Sequence, residues 1–240
     1  MGGDVFFCSG RECTIRSRAA HSSADTSLPH CAHFAAESNM VFPTKFAYNP
    51  AEEMATLSDY PDFRFFATAR DTSPTPLWNL RKSPTGCDRA TEDCAAACDA
   101  EPCNQWLTVE QATAPQPGRL PKSPLPNTFL ANFSAVCFLT SRDIARMHIS
   151  NRPVALIQSA WGGTRVEAWM SAESIAKAAP SAGAPPPQKS GPNNVSVLYN
   201  AMVAPWNKFS VRAAFWYQVW ASDALCVFVC VCLLSPLIDC

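Results

Sequence analysis

The chain has 240 residues, of which 48% are hydrophobic and 16% are charged, and its formal net charge at pH 7 is -1. This length and this hydrophobic share are enough for one sizeable domain with its own core, or for two small domains. Because the composition is nearly neutral and contains no run of Lys and Arg, nucleic acid is excluded as an expected partner.

The first 37 residues divide into two unlike parts. Residues 4–8 form a short apolar run that Ser9-Gly10 ends, which predicts a buried strand entering a turn. Residues 11–37 contain three of the four His and lack a sustained helical or strand period, so we predict no regular element there. We interpret 11–37 as foreign to its flanks. The less favoured alternative is a metal site formed by Cys13, His30, Cys31 and His33.

Two short predicted elements precede a long irregular region. Residues 51–57 favour a short helix, and residues 63–67 favour a strand. Residues 71–127 are rich in Pro, Thr, Asp and Cys, and 105–109 is the only strand predicted among them. Four cysteines in this region predict a loop held by disulfides in an oxidising compartment: Cys87, Cys94, Cys98 and Cys103. Zinc is the alternative, but paired Cys-x-x-Cys spacings are absent and no His lies near.

The clearest pattern lies in the second half of the chain. Residues 133–147 carry a helical apolar stripe, and residues 154–158 are a continuous apolar strand that leads into Trp161-Gly162-Gly163. A second helical segment runs from Thr164 to about residue 179. Helix, strand, glycine loop and helix in this order predict a parallel sheet covered by helices, with ligands bound at the carboxyl ends of the strands.

The C-terminal part contains one more predicted strand and an apolar tail. Residues 180–194 favour an irregular, proline-rich connection, and residues 211–217 favour a strand. The apolar run 224–238 is shorter than the ~20 residues of a spanning helix. Membrane attachment by 215–238 is therefore the less favoured alternative, since polar residues would then lie inside the span. Acceptor sequons begin at Asn132 and Asn194, a weak indication of secretion.

Several runs together resemble the sialate O-acetylesterase family of SGNH-type hydrolases. They are Ser38-Asn39-Met40, the long run Ile157 to Trp169 with its Gly-Gly-Thr, Leu198-Tyr199-Asn200-Ala201-Met202, and Trp216-Tyr217-Gln218. Their order along the chain also fits. The resemblance implies a flavodoxin-like α/β fold, a three-layer sandwich with a parallel sheet. It also implies hydrolysis of O-acetyl esters of sialic acids or related sugars, without metal or organic cofactor, in a secreted or lysosomal protein.

In the family, the nucleophile lies in a continuous Cys-Ser-Gly-Gln-Ser-Asn-Met directly after the first strand. Here Cys8-Ser9-Gly10 supplies the front half and Ser38-Asn39-Met40 the back half. The chain therefore divides into the following segments. Residues 1–10 hold the first strand and the front half, 11–37 are a non-family insert, 38–218 are a partial esterase domain, and 219–240 are a non-family apolar tail.

The resemblance assigns three site residues. Ser38 is the nucleophile that attacks the acetyl ester, and the backbone N–H groups of Ser38 and of Gly162 or Gly163 form the oxyanion hole. The alternative for the glycine pair is an ordinary strand-to-helix turn. Glu167 is read either as a site carboxylate or, preferably, as a helix-opening residue. Four aromatic residues either stack on a sugar or pack in the core: Trp161, Trp169, Trp216 and Tyr217.

Two family features are missing from the sequence. Where the family continues Gly-Glu-x-Asn after Trp-Tyr-Gln, residues 219–222 are Val-Trp-Ala-Ser, and no Asp-x-x-His block follows. The position of His148 at the end of a predicted helix favours a role in capping the C-terminus of that helix. We therefore expect a chain truncated at its C-terminus and impaired as a catalyst. The alternatives are a non-catalytic carbohydrate-binding remnant and a membrane-attached fragment.

Overall fold

The described residues of the computed structural model build a six-stranded mixed sheet with helices and helical turns on both faces. The strands are β1 (His30–Ala36), β2 (Phe63–Ala67), β3 (Leu107–Thr108), β4 (Val154–Ala160), β5 (Val211–Ala221) and β6 (Ala224–Leu233). The structure describes residues 30–36, 39–81, 100, 102–116, 125–148, 153–182, 191–209, 211–221 and 224–233. The predicted strand 4–8 lies outside them.

Five α-helices and several single turns complete the described secondary structure. The helices are α1 (Pro50–Ala55), α2 (Val109–Thr113), α3 (Phe129–Asn132), α4 (Ala135–His148) and α5 (Ala172–Ala182). Short 3-10 turns occupy Thr44–Phe46, Thr56–Asp59, Val166–Trp169 and Ala204–Trp206, and Tyr199–Val203 is a π-helical turn. The second helical segment predicted from Thr164 is thus a 3-10 turn followed by α5.

The strand order is β3-β2-β4-β1-β5-β6. The four central strands, β2, β4, β1 and β5, are mutually parallel, which confirms the predicted parallel sheet at its centre. The two edge strands are antiparallel to their neighbours. β6 is antiparallel because only two residues connect it to β5, and a connection this short joins antiparallel strands alone.

Side chains of alternate strand residues pack on opposite faces of the sheet. On one face, Phe65 of β2 packs against Phe129 of α3 and Phe133, with its ring centroid 5.5 Å from that of Phe133. On the other face, Phe66 and Ile157 pack against Trp206. Because packed layers cover both faces, β4 is buried at every residue, including the polar Gln158 and Ser159. The α/β class predicted from the sequence is confirmed.

Ser134 fixes the position of α4 against the sheet. Its hydroxyl accepts a hydrogen bond from the N–H of Cys137 (3.0 Å), which caps the helix. Its own N–H donates to Oε1 of the buried Gln158 in β4 (2.8 Å). The helix therefore begins beside the carboxyl half of β4 and ends near its amino end.

β1 corrects one expectation from the sequence. We predicted no regular element in 11–37, but His30–Ala36 forms a central strand, with Ala32 paired to Leu156 of β4 and to Ala213 of β5. The prediction failed because backbone pairing with β4 and β5 holds this strand, and a search for side-chain periodicity does not detect backbone pairing. Whether 11–37 is foreign to the family stays a prediction.

Of the other predicted elements, β2 has the predicted bounds, and α1, α4, β4 and β5 are confirmed with shifted ends. The predicted strand 105–109 is reduced to the two residues of β3, because Thr108 caps α2. Within the apolar tail, 224–233 form a strand and not a helix. Among the described residues, no helix has the length and hydropathy needed to cross a bilayer.

Candidate functional site

Three chain segments leave the sheet at the carboxyl edge of the parallel strands. β1 ends at Ala36, which is paired with Ala160 of β4 and with Tyr217 of β5. β2 ends at Ala67, which is paired with Gln158, two residues before the end of β4. The segments that follow β1, β2 and β4 therefore start beside one another. This is the edge at which parallel α/β sheets bind ligands.

Ser38 lies outside the described residues, but its neighbours in the chain are described. Ala36 ends β1 at this edge, and an extended chain of two residues spans at most ~7 Å. Asn39 is half-buried and Met40 is buried in the main core. The role of Ser38 as a nucleophile stays a prediction.

The glycine loop that follows β4 adopts a conformation that favours glycine. Gly163 has a φ of +77°, in the left-handed region, and a Cβ placed on it would meet no atom within 4 Å. The carbonyl of Gly163 accepts a hydrogen bond from Nδ2 of Asn193 (3.3 Å). Oδ1 of the same Asn193 accepts from the N–H of Arg165 (2.8 Å). Asn193 thus connects the backbone of Gly163 to that of Arg165 across the glycine turn.

A second chain of hydrogen bonds connects the two ends of the glycine loop. Nε1 of Trp169 donates to the hydroxyl of Thr164 (2.9 Å), which in turn donates to the carbonyl of Trp161 (2.6 Å). Thr164 is buried, and Trp169 is completely inaccessible to solvent. Since buried polar groups are costly unless paired, these contacts fix the backbone around Gly162 and Gly163. Trp169 is therefore a core residue and not a surface on which a sugar can stack.

The loop after β2 is anchored to β4 on the opposite face of the sheet from α4. The N–H of Thr68 donates to the carbonyl of Gln158 (2.8 Å), which continues the strand pairing by one residue. The hydroxyl of Ser159 contacts the hydroxyl of Thr68 (2.8 Å) and donates to the carbonyl of Met202 (3.2 Å). Both hydroxyl groups are buried.

Asn200, in the Leu-Tyr-Asn-Ala-Met run, connects the same loop to the π-helical turn. Its Nδ2 donates to the carbonyl of Ser73 (3.1 Å), and its own carbonyl accepts from the N–H of Leu77 (2.8 Å). The N–H of Ser73 donates to the carbonyl of Val197 (3.0 Å). This run therefore contributes a buried amide that positions the loop after β2.

The structure adds charged residues to the edge that the sequence analysis did not select. Asp71 is buried and forms an ion pair with Arg81, with Nη1 and Oδ1 3.1 Å apart. The guanidinium of Arg70 lies 5.9 Å from the ring centroid of Trp161. The sequence feature that could have identified these residues is the largely polar run Thr68 to Ser73 directly after a predicted strand, because loops after parallel strands form the binding edge.

Glu167 and the histidines do not form a described acid–base group at this edge. Glu167 is half-buried in the Val166–Trp169 turn. α4 has 14 residues and is about 21 Å long, so His148 ends it near the amino end of the sheet. His30 and His33 lie in the first four residues of β1. No described histidine therefore follows a strand at the carboxyl edge.

The described cysteines supply neither a nucleophile nor a metal site at this edge. Burial raises the pKa of the Cys137 thiol well above its ordinary value, so this free cysteine is unsuited to be a nucleophile. Cys103 takes part in a disulfide bond, while Cys87, Cys94 and Cys98 lie outside the described residues. The described residues contain no cluster of His, Cys, Asp and Glu that could hold a metal ion.

Sequence comparison finds three similar proteins of one name. The chain is 29% identical over 184 residues to a sialate O-acetylesterase from Pongo abelii, covering 76% of this chain and 29% of that protein. It is 40% identical over 87 residues to the sialate O-acetylesterase of Homo sapiens, covering 35% of this chain and 16% of that protein. It is 26% identical over 113 residues to that of Mus musculus, covering 35% of this chain and 20% of that protein. No family model matches the chain.

Comparison of structures finds the same kind of fold. The chain resembles a carbohydrate acetylesterase from Xanthomonas citri with a TM-score of 0.52 and 20% sequence identity, covering 79% of this chain and 32% of that chain. At this identity the likeness shows the fold. The chain spans less than a third of the length of each of these curated relatives. The matches confirm the resemblance that the sequence motifs indicated: the chain is homologous to the sialate O-acetylesterases.

Proposed function

We propose that the chain is a carbohydrate esterase that hydrolyses O-acetyl esters of sialic acids or related acetylated sugars, with Ser38 as its nucleophile. The observation that carries the proposal is the pairing of Ala36 with Ala160. Ser-Asn-Met follows β1 from this pair, and the Gly162-Gly163 loop follows β4 from it. A nucleophile and its oxyanion donors need this proximity.

In the proposed mechanism, the Ser38 hydroxyl attacks the acetyl carbonyl and loses its proton to a general base. The N–H of Ser38 and the N–H of Gly162 or Gly163 donate to the oxyanion that forms. A donor of this kind typically contributes about 3 kcal/mol to transition-state stabilisation. The sugar hydroxyl leaves with a proton, and water then releases acetate from the acetyl-serine.

The described histidines do not supply the base. His148 belongs to the amino end of the sheet, and His30 and His33 lie within β1. An unassisted serine hydroxyl is a weak nucleophile at neutral pH, so we expect slow turnover from the chain as it stands.

We further propose that the chain is an SGNH-type hydrolase and that it is secreted or lysosomal. Disulfides among residues 87–103 would be stable in such an oxidising compartment. Asn132 is a poor glycosylation site, since its buried side chain bonds Lys45, Asn127 and Thr128. Of the two sequons, the half-buried Asn194 is the better candidate.

The test compares hydrolysis of an acetyl ester by the wild type, Ser38→Ala and Ser58→Ala. Ser58 is the matched control, because it is exposed and its hydroxyl bonds only the carbonyl of Ala55 among the described contacts. We expect Ser38→Ala to lose all turnover above the uncatalysed rate and Ser58→Ala to retain it. Equal turnover by wild type and Ser38→Ala would rule out Ser38 as the nucleophile.

A second candidate is a carbohydrate-binding remnant without chemistry. It is favoured by the lack of a described histidine at the carboxyl edge and by Val-Trp-Ala-Ser at 219–222. This candidate predicts binding of an acetylated sugar that Ser38→Ala leaves unchanged, without turnover by either protein. Calorimetric titration beside the hydrolysis assay separates the two candidates.

A further inference from the structure

Asn193 bonds the glycine loop twice through one side-chain amide. Its Nδ2 donates to the carbonyl of Gly163 (3.3 Å), and its Oδ1 accepts from the N–H of Arg165 (2.8 Å). These two groups belong to the peptide units on either side of Thr164. Because a peptide unit is planar, a hydrogen bond to one of its atoms restricts the direction of the whole unit. One side chain therefore orients two consecutive peptide units.

The loop needs such a contact because glycine does not fix its own conformation. Glycine adopts positive and negative φ about equally readily, so the φ of +77° at Gly163 depends on what the neighbouring groups bond. On the amino side, the carbonyl of Trp161 accepts from the hydroxyl of Thr164 (2.6 Å). On the carboxyl side, the carbonyl of Gly163 accepts from Asn193. The N–H groups of Gly162 and Gly163 lie between these two fixed points.

The turn that carries Asn193 is itself anchored at two places. The N–H of Ser196 donates to the carbonyl of Glu167 (3.0 Å), in the turn that follows the glycine loop. The carbonyl of Val197 accepts from the N–H of Ser73 (3.0 Å), in the loop after β2. Asn193 therefore projects from a backbone that both loops of the carboxyl edge hold in place.

The conformation of Ser196 shows how strongly this turn is determined. Its φ is +64°, in the left-handed region that residues other than glycine rarely adopt, and the residue is buried. Such a conformation persists only where the surrounding contacts impose it. Here the N–H of Ser196 bonds Glu167, and its carbonyl accepts from the N–H of Asn200 (2.8 Å). The support behind Asn193 is therefore a single, well-defined conformation.

We propose that Asn193 is a positioning residue of the esterase, which holds the glycine loop in the conformation that its N–H donors need. The inference rests on the proposed function, because it assumes that the oxyanion forms at Gly162 or Gly163. Asn193 acts through the backbone of the loop and does not touch the substrate. Since the oxyanion exists only after the nucleophile has attacked, loss of this support lowers kcat and leaves KM unchanged.

Steady-state hydrolysis of an acetyl ester by the wild type, Asn193→Asp and Asn194→Asp tests the inference. The first exchange replaces the Nδ2 donor by a carboxylate oxygen that repels the carbonyl of Gly163, while an acceptor for the N–H of Arg165 remains. Asn194 is the matched control, because it is the next residue, is also half-buried and makes no side-chain hydrogen bond to a described residue. All three proteins are made in bacteria, so that none carries a glycan.

We expect Asn193→Asp to lower kcat about 10- to 100-fold without a change in KM, and Asn194→Asp to change neither. A kcat equal to that of the wild type would overturn the inference. Equal losses in the two variants would also overturn it, since the added charge alone would then explain them. Asn193→Ala removes both bonds without adding charge and should lower kcat as well. Urea unfolding checks that each variant is folded.

Amide hydrogen exchange of Asn193→Ala and Asn194→Ala separates this inference from the proposed function. We expect the N–H of Arg165 to exchange faster in Asn193→Ala alone, because only this variant removes its acceptor. If the wild type hydrolyses the ester and the Asn193 variants keep its kcat, the inference is wrong and the esterase proposal stands. If the wild type hydrolyses no ester, the esterase proposal is wrong and exchange decides the role of Asn193. Faster exchange at Arg165 then supports it, and unchanged exchange overturns it.

Discussion

At the scale of single residues, the loop after β4 is a glycine turn with fixed neighbours. Gly163 needs a positive φ, Asn193 holds its carbonyl, and Thr164 connects Trp161 to Trp169. Each contact restrains the backbone N–H groups that would face an oxyanion. If the loop forms the proposed oxyanion hole, its donors are positioned before a substrate binds, which is the property that makes such donors effective.

Gly163→Ala tests the importance of that conformation, with Gly191→Ala as its control. Both glycines have positive φ (+77° and +87°), and an added Cβ would meet nothing within 4 Å of either. We expect each substitution to lower the free energy of unfolding by about 1 kcal/mol, since only the backbone conformation opposes it. Urea unfolding measures this loss.

The two variants should differ in ester hydrolysis. Gly163→Ala shifts the backbone donors of the loop, and a misplacement of this kind reduces turnover by up to about 100-fold. Gly191→Ala should leave turnover unchanged. If both variants hydrolyse the ester equally, the glycine loop is an ordinary turn.

At the scale of elements, α1 and α4 are joined by Arg142. Its guanidinium bonds Glu53 of α1 and Asp143 of α4, and only 13% of its side chain is exposed. Burial lowers the pKa of Arg142, but the hydrogen bonds to Glu53 and Asp143 outweigh it and raise the pKa above its ordinary value. The contribution of a raised pKa is complete at lower pH and is lost only above the ordinary arginine value.

Arg142→Met should lower the free energy of unfolding by about 1–2 kcal/mol, because it leaves Glu53 without this partner. Arg146→Met is the control, since Arg146 is 68% exposed and lies 3.9 Å from Asp143. Its expected cost is below about 0.5 kcal/mol. Because the arginine stays charged, we expect the difference between the two variants to be the same at pH 6 and pH 9. Equal costs for the two variants would contradict this account of α1 and α4.

The strands differ in how well the sequence predicts them. β2 and β4 are mostly apolar because nearly all of their residues are buried, and this composition was sufficient to predict both strands. β1 contains His30 and His33 and was missed, since its position depends on pairing with β4 and β5. The Arg70–Trp161 contact was also missed, because nothing in the sequence indicates that these two residues meet.

At the scale of the whole molecule, two segments of the chain are candidates for the strand that lies between β4 and β5. His30–Ala36 is this strand in the structure, with one residue between the strand and Ser38. By the resemblance, residues 4–8 correspond to the family's first strand, and only Ser9-Gly10 would separate them from Ser38 if 11–37 were removed. In either case, Ser38, the nucleophile that the resemblance implies, follows the strand between β4 and β5.

Deletion of residues 11–37 tests the interpretation of that segment as an insert. We expect the shortened chain to fold, because residues 4–8 are apolar, are long enough for a strand and would be joined to Ser38 by Ser9-Gly10. Circular dichroism and urea unfolding report sheet content and cooperativity. An unfolded product would contradict the interpretation and make His30–Ala36 indispensable.

The central claim is that Ser38 lies at the carboxyl edge of the sheet as a nucleophile beside the glycine loop. Reaction of the full chain with a fluorophosphonate, followed by mass spectrometry of its peptides, tests it most directly. The account predicts an adduct on Ser38, and a much slower reaction after Gly163→Ala. An adduct on another serine, or none under conditions that label a known serine esterase, would contradict it.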